Sequence, residues 1–221
     1  MLKEVLRLKM PVKKMVLLAM LAAVSYMLVS LVRIPVVLFL KYEPKDVVVT
    51  IGGFLYGPMA SFIVSLLVSL LEMVTISETG PIGCLMNLLS TCAFACTAAF
   101  IYKRKHTPSG AVAGLVTGSI VMIATMMLWN WLITPLYMGG DRESVEALLL
   151  PAFLPFNSLK AGLNTALVLM LYKPLVTVLR KIGLVQSGGS GSGKSKAGVY
   201  LLAGILLLTC ALVILALQGK I

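Results

Sequence analysis

Apolar residues run along this chain in long, almost uninterrupted stretches, and the charged residues collect in the short segments between them. A helix needs about 20 consecutive apolar residues to span the hydrocarbon core of a bilayer. Five stretches approach or exceed that length, and they cover residues 15–32, 83–101, 110–136, 161–179 and 198–217. The pattern therefore predicts an all-α polytopic membrane protein.

A further apolar segment, residues 47–71, allows two interpretations. It is either one long helix or two shorter helices broken at the sequence GGFLYGP, where Gly52, Gly53, Gly57 and Pro58 crowd together. Glycine and proline are common in transmembrane helices, so their presence alone does not decide between one crossing and two.

The distribution of charge favours two crossings. With the basic N-terminus on the cytoplasmic side, a double crossing places the basic segment 103–106 and the pair at 180–181 inside. It places the acidic segments 72–80 and 138–148 outside, as the positive-inside rule requires. A single crossing reverses every later loop. Residues 1–185 are therefore expected to form a six-helix domain with both ends cytoplasmic, followed by a linker at 186–196 and a seventh transmembrane helix within 197–221.

Composition agrees with membrane insertion. Hydrophobic residues make up 59% of the chain and charged residues only 12%, whereas soluble domains carry about 25% charged residues. The net charge of +11 would suggest nucleic acid in a soluble protein, but here the positive-inside rule accounts for it. We expect a lipid bilayer and no nucleic acid as partner.

One motif in the linker suggests a different class of protein. Residues 188–195 match the phosphate-loop pattern G-x-x-x-x-G-K-[ST]. A working phosphate loop follows a buried strand and opens a soluble helix, but this segment interleaves glycine with serine and leads into an apolar run. It is interpreted as a flexible cytoplasmic tether.

Polar residues inside apolar stretches are the main candidates for function, because they are costly at membrane depth. Asn157, Lys160 and Asn164 are spaced three and four apart and share one face of a helix. Their amides and ammonium could bind a polar ligand. Alternatively, Lys160 extends to the outer surface while the amides bond neighbouring helices. Spacing alone leaves both interpretations open.

A second candidate is Asn130, which lies between Trp129 and Trp131 near the outer end of the fifth helix. Paired tryptophans are typical of the membrane interface, which leaves Asn130 unexplained. The amide could instead offer a two-point hydrogen-bonding edge to a heterocycle, with an aromatic ring stacked on the ligand.

The first outer loop is unusually apolar and carries Phe39, Tyr42 and Glu43. Such a loop could be a lid over a pocket or a segment that re-enters the membrane. Asn87, in the fourth helix, is a weaker candidate for the pocket. The main clusters lie at the outer ends of their helices, where an outward-facing pocket would form. The chain shows no Ser/His/Asp set and no metal-ligand spacing, since its cysteines lie in apolar runs away from the single histidine. We therefore expect neither an enzyme nor a metal site.

At these residues the sequence resembles a known family, the substrate-binding S components of energy-coupling factor (ECF) vitamin transporters, and most closely the riboflavin-specific members. The resemblance covers about residues 10–185. It rests on the block LKYEPKDVVVTIGGFLYGP, on GPIGCLMN, on the WN pair of the fifth helix and on LPFNSLKAGLN at the sixth.

The resemblance implies that riboflavin is the transported ligand and that no cofactor is needed. It implies that Asn130, Asn157 and Lys160 hydrogen-bond the flavin or its ribityl chain, and that Tyr42 and Glu43 belong to a closing loop. It further implies a transmembrane coupling subunit and two ATPase subunits as partners, a bacterial plasma membrane as location, and docking of the coupling subunit on small residues of the first helix. Ala19 and Ala23 supply such a pair in the form A-x-x-x-A.

The seventh helix and its linker have no counterpart in this resemblance. Two alternatives to riboflavin binding stay open: an S component for another vitamin such as thiamin or a pterin, and a small intramembrane enzyme or assembly protein that acts on lipid.

Overall fold

The structure, a computed structural model, describes residues 12–37, 40–77, 79–138, 142–181 and 196–218. Its described part is almost entirely helical. The α-helices are α1 (Val12–Leu31), α2 (Lys45–Tyr56), α3 (Pro58–Thr75), α4 (Gly80–Arg104), α5 (Pro108–Met138), α6 (Arg142–Leu148), α7 (Leu154–Lys181) and α8 (Lys196–Leu217). Five of them, α1, α3, α4, α5 and α8, are long and apolar enough to cross a membrane. The predicted all-α membrane fold is confirmed.

The break predicted within residues 47–71 is confirmed at Gly57. This residue separates α2 from α3 with φ of 88°, in the left-handed region that glycine adopts without steric cost. Pro58 then begins α3, at the position where its missing N–H removes no helical hydrogen bond.

The second helix is short and lies inside the bundle. Twelve residues give α2 a length of about 18 Å, less than the roughly 30 Å of a bilayer core. Nine of its residues are buried, including the charged pair Lys45 and Asp46 at its first turn. The charged end of α2 therefore lies within the protein interior.

Close helix packing depends on small residues. A Cβ added at Gly118 would lie 2.6 Å from the carbonyl oxygen of Phe94, and one at Gly114 would lie 2.7 Å from that of Ala98. The backbones of α4 and α5 therefore approach too closely for any side chain at these positions. The main core surrounds this contact and includes buried residues of α1, α2, α3, α4, α5, α7 and α8.

The segment between α1 and α2 contains a small antiparallel hairpin that the sequence did not predict. Strand β1 (Ile34–Val37) pairs with β2 (Leu40–Tyr42), with Ile34 opposite Tyr42. Val36 and Tyr42 are buried against α7 and α8 in a second apolar cluster. The loop is thus a folded unit lying on the helices.

The sixth predicted helix starts earlier than its apolar run. We expected a span from residue 161, but α7 begins at Leu154, and it continues from α6 through a π-helical segment, Leu149–Phe153. Asn157 and Lys160 interrupt the apolar pattern without interrupting the helix. Their side chains are buried in the protein interior. They therefore do not pay the free-energy penalty of exposing a polar group to lipid.

The helix predicted as the seventh transmembrane helix is α8, and it packs on the rest of the bundle. Cys210 of α8 lies so close to α7 that a Cβ at Gly162 would be 2.9 Å from its sulfur. At the end of α8, Gln218 Nε2 donates a hydrogen bond to the carbonyl oxygen of Pro35 in the hairpin at 2.7 Å. Residues 1–11 of the basic N-terminus and the motif at 188–195 lie outside the described residues.

Candidate ligand-binding site

A cavity of about 360 Å³ opens between the hairpin and the ends of α3, α4, α5 and α7. Its volume falls in the range of small-molecule sites, roughly 300–1,000 Å³. Hydrophobic side chains form part of the wall: Leu40, Ile76, Met86, Met126, Phe153 and Phe156. The polar and charged part consists of Arg33, Lys41, Glu43, Glu72, Ser77, Thr79, Asn87, Ser90, Asn130, Asn157 and Lys160.

Asn130, Asn157 and Lys160, predicted from different helices, line this one cavity. Asn130 comes from α5, and the other two come from the first turns of α7. Glu43 and Asn87 also line it. Five of the eight predicted binding residues are thus brought together.

The remaining three are placed differently. Tyr42 and Asn164 are not among the lining residues; both are buried and bond each other, with the Tyr42 hydroxyl donating to Asn164 Oδ1 at 2.9 Å. Phe39 lies outside the described residues. Burial, with the Asp46 carboxylate nearby, raises the pKa of Tyr42 well above its ordinary value, so its hydroxyl stays protonated and able to donate.

The two wall amides are oriented by their own helices. Asn130 Nδ2 donates to the carbonyl oxygen of Met126 at 2.8 Å, and Asn157 Nδ2 donates to that of Phe153 at 2.8 Å. Asn130 Oδ1 also accepts a hydrogen bond from Thr134 Oγ1 at 3.0 Å. Each amide nitrogen carries two N–H donors, so a second donor of each is available to a ligand.

Lys160 brings a positive charge to the cavity wall. Its Nζ lies 3.2 Å from Asp46 Oδ2 and donates to Ser90 Oγ at 3.2 Å. Only 9% of Lys160 and none of Asp46 is exposed. A buried charge is tolerable when it is paired and hydrogen-bonded, and Asp46 meets that condition for Lys160.

A second buried ion pair lies beside the first. Lys45 Nζ donates to both carboxylate oxygens of Glu72 at 2.6 Å. Asn87 Nδ2 donates to the same carboxylate at 2.7 Å. Glu43 lies 3.4 Å from both Lys45 Nζ and Arg33 Nε, and these contacts connect the end of the hairpin to α3.

Comparison with known proteins places this site in a family. The profile described as "ECF transporter, substrate-specific component" matches residues 13–172, a range that includes every residue that lines the cavity. The chain belongs to the family of ECF transporter substrate-specific components. It is accordingly a subunit of a transporter, not an enzyme.

Individual relatives agree with that assignment. The chain is 27% identical over 179 residues to the riboflavin transporter RibU of Staphylococcus aureus, covering 77% of this chain and 94% of that one. It is 30% identical over 172 residues to RibU of Lactococcus lactis, covering 73% and 83%. A solved structure described as the S component of a bacterial ECF transporter superposes with a TM-score of 0.65 at 28% identity, covering 76% of this chain and 98% of that one.

Three charged residues of this S component were missed by sequence reasoning: Lys45, Asp46 and Glu72. Lys45 and Asp46 directly precede an apolar run and Glu72 ends one, so the pattern places them in outer loops. The available signal was the charged pair at the start of a helix that is too short to span the bilayer.

The tryptophans of α5 do not line the cavity. Trp131 Nε1 donates to Glu146 Oε1 at 2.9 Å, and the Arg142 guanidinium lies 4.7 Å from its ring centre. The aromatic rings of the wall come instead from Phe153 and Phe156.

The proposed docking pair of the S component lies on the outside of α1. Ala19 and Ala23 are exposed, whereas the adjacent residues Leu18 and Ala22 are buried. Larger exposed residues flank the pair: Met15, Val16, Met20, Val24 and Met27. The two alanines form a shallow strip along an apolar helix face.

No group of three or more His, Cys, Asp or Glu side chains suited to a metal ion occurs within the described ranges.

Proposed function

We propose that this chain is the riboflavin-binding subunit of an ECF-type vitamin transporter, and that Asn130, Asn157 and Lys160 bind the vitamin. The observation that carries the proposal is their convergence, from α5 and α7, on one cavity of about 360 Å³. Relatives that cover most of the chain and are named riboflavin transporters support it.

The chemistry of the wall suits a flavin. Riboflavin carries a flat fused-ring system with carbonyl acceptors and an imide N–H on one edge, and a polyol chain on its central ring. The two amides and the ammonium supply donors and acceptors for such an edge. Phe153 and Phe156 offer apolar faces for the rings, and the polar groups near Glu43 and Asn87 suit hydroxyls.

Transport requires partners that this chain does not contain. We propose a transmembrane coupling subunit and two ATPase subunits, with the coupling subunit docking on the strip that contains Ala19 and Ala23. Small residues on an exposed helix face allow a partner helix to approach closely. The linker at 186–196 acts only as a tether in this proposal.

Binding can be tested directly on the purified chain. Riboflavin fluorescence is expected to be quenched on titration with the protein in detergent, and protein purified from riboflavin-containing cells should be yellow. A chain that binds thiamin or a pterin and leaves flavin fluorescence unchanged would reassign the substrate within the same family.

The proposed orientation places the N-terminus in the cytoplasm and the cavity mouth outside. Lys105, between α4 and α5, and Glu143, in α6, are both exposed. In this scheme they lie on opposite sides of the membrane. We place single cysteines at these positions in a variant that lacks the four native cysteines. In intact cells, an impermeant maleimide should label the cysteine at position 143 and leave the one at position 105 unlabelled. Labelling at position 105 instead would invert the topology.

A further inference from the structure

Asp46 lies behind the cavity wall, at the point where three helices meet. It stands in the first turn of α2 and has no exposed surface. Its Oδ1 accepts a hydrogen bond from Thr91 Oγ1 of α4 at 2.6 Å. Its Oδ2 accepts one from Asn164 Nδ2 of α7 at 3.2 Å and lies 3.2 Å from Lys160 Nζ. This side chain therefore receives contacts from two neighbouring helices at once.

These contacts fix the carboxylate as an anion in one place. A buried carboxylate is stable only when its oxygens are hydrogen-bonded or paired with a cation, and Asp46 has both kinds of partner. A negative charge is also favoured at the N-terminus of a helix. The group is thus a preorganised negative charge that has no direct access to the cavity.

Lys160 is the group that needs such a fixed charge. Its flexible stem lets the ammonium adopt many positions, yet a ligand contact requires one. Of the three ammonium donors, one faces Asp46 and one bonds Ser90 Oγ. The third is left for the cavity, which Lys160 lines.

The same carboxylate also reaches the hairpin. Asn164 donates to Asp46 with its nitrogen and accepts the Tyr42 hydroxyl hydrogen with its oxygen. Asn164 thus links Asp46 to Tyr42 of strand β2, which borders one side of the cavity.

We propose that Asp46 is a positioning residue for ligand binding, which holds the Lys160 ammonium at the cavity wall. The inference rests on the proposed function, in that Lys160 must contact the ligand. Asp46 itself touches no ligand and acts through its neighbours.

A double-mutant cycle on riboflavin affinity tests the link between the two residues. We expect Asp46→Asn and Lys160→Gln each to weaken binding roughly tenfold or more. Adding Asp46→Asn to Lys160→Gln should then cost less than about threefold, because residues that act through one contact are not additive. A merely structural role of Asp46 predicts instead that the two losses multiply, and that result would overturn the proposal.

Thr91→Val serves as the matched control. It removes the hydrogen bond to Asp46 Oδ1 and leaves the pair with Lys160 untouched, so we expect a change in affinity below about threefold. A loss as large as that of Asp46→Asn would show that the whole network supports the fold without a specific role for the ion pair.

Two further outcomes separate this inference from the proposed function. Should Asp46→Asn fail to fold, Asp46→Asn/Lys160→Gln remains usable, since it leaves no unpaired buried charge; its affinity should match that of Lys160→Gln, and a further tenfold loss would reject the inference. Wild-type affinity in Lys160→Gln alone would remove Lys160 from the proposed site, whatever Asp46 does.

Discussion

The Tyr42 hydroxyl donates a hydrogen bond to Asn164 Oδ1 at 2.9 Å, and so joins the hairpin to α7 across 122 positions of sequence. Tyr42 is 3% exposed and Asn164 is fully buried. The bond therefore lies where water cannot replace it, and it connects the loop at the cavity mouth to the helix that carries Asn157 and Lys160.

Removing this one hydroxyl should weaken the attachment of the hairpin to α7 without creating a cavity in the core. In Tyr42→Phe the ring still packs against α7, but Asn164 Oδ1 loses its donor. A lost neutral hydrogen bond costs about 1 kcal/mol, which corresponds to about fivefold. We expect riboflavin to dissociate about that much faster, as measured by stopped-flow recovery of flavin fluorescence.

Tyr26→Phe is the matched control for this change. It removes an exposed tyrosine hydrogen bond, from Tyr26 to Thr75 Oγ1 at 3.0 Å, and neither residue lines the cavity, so it should leave dissociation unchanged. Since burial raises the pKa of Tyr42 above its unfolded value, the stability from its neutral hydroxyl is complete below about pH 10 and declines only above it. A difference between Tyr42→Phe and wild type that disappears at neutral pH would contradict this account.

Each polar residue of the cavity wall should contribute separately to riboflavin binding. Asn130→Ala, Asn157→Ala and Lys160→Ala each remove a polar group from a site largely shielded from water. Such losses cost about 1–3 kcal/mol, and more for a charged donor, so we expect riboflavin affinity to fall roughly ten- to a hundredfold in each variant. Fluorescence titration of the purified variants measures this.

A control from the same pair of helices distinguishes the site from general packing. Ser119 of α5 and Thr165 of α7 are hydrogen-bonded at 3.1 Å and do not line the cavity. Ser119→Ala should therefore bind riboflavin as the wild type does. If all three wall variants also kept wild-type affinity, the ligand would have to bind elsewhere.

The parts of this site that the sequence revealed are those whose signal is local. Gly57 and Pro58 mark a break because their backbone requirements are intrinsic, and Asn130, Asn157 and Lys160 stand out because each is polar within an apolar stretch. Their convergence on one cavity depends on helix packing, which spacing along a single helix does not contain.

The parts that were missed depend on distant partners. Asp46 and Glu72 look like loop residues, since each borders an apolar run, and only their pairing with Lys160 and Lys45 makes burial possible. The strands Ile34–Val37 and Leu40–Tyr42 are too short for a recognisable alternating pattern. Their stability comes from packing against α7 and α8, which the local sequence does not encode.

A substitution on the exposed face of α1 should abolish docking of the coupling subunit and leave ligand binding intact. Ala19→Trp places a large ring on the exposed strip where a partner helix would approach. We expect the purified variant to bind riboflavin normally, while uptake by cells that carry the coupling module is lost. Ala124→Trp, at an exposed alanine of α5, should affect neither activity. Loss of binding in Ala19→Trp would show that this face supports the fold instead of a partner.

The seventh helix offers a test of the proposed domain division, in which residues 1–185 form the complete binding unit. None of the cavity-lining residues belongs to α8, so a chain that ends at residue 185 should bind riboflavin within about threefold of wild type, well below the tenfold of a lost 1.4 kcal/mol contact. Its thermal stability should fall, because Leu206, Leu207 and Ile214 of α8 pack against the cluster that holds the hairpin to α7. Titration and thermal unfolding of the truncated protein measure the two effects separately.

Gln218→Ala, which removes only the hydrogen bond to Pro35, is the matched variant in the full-length chain and should change neither affinity nor thermal stability. A tenfold loss of affinity on truncation would make α8 part of the binding unit, and the same loss in Gln218→Ala would trace it to the contact with the hairpin.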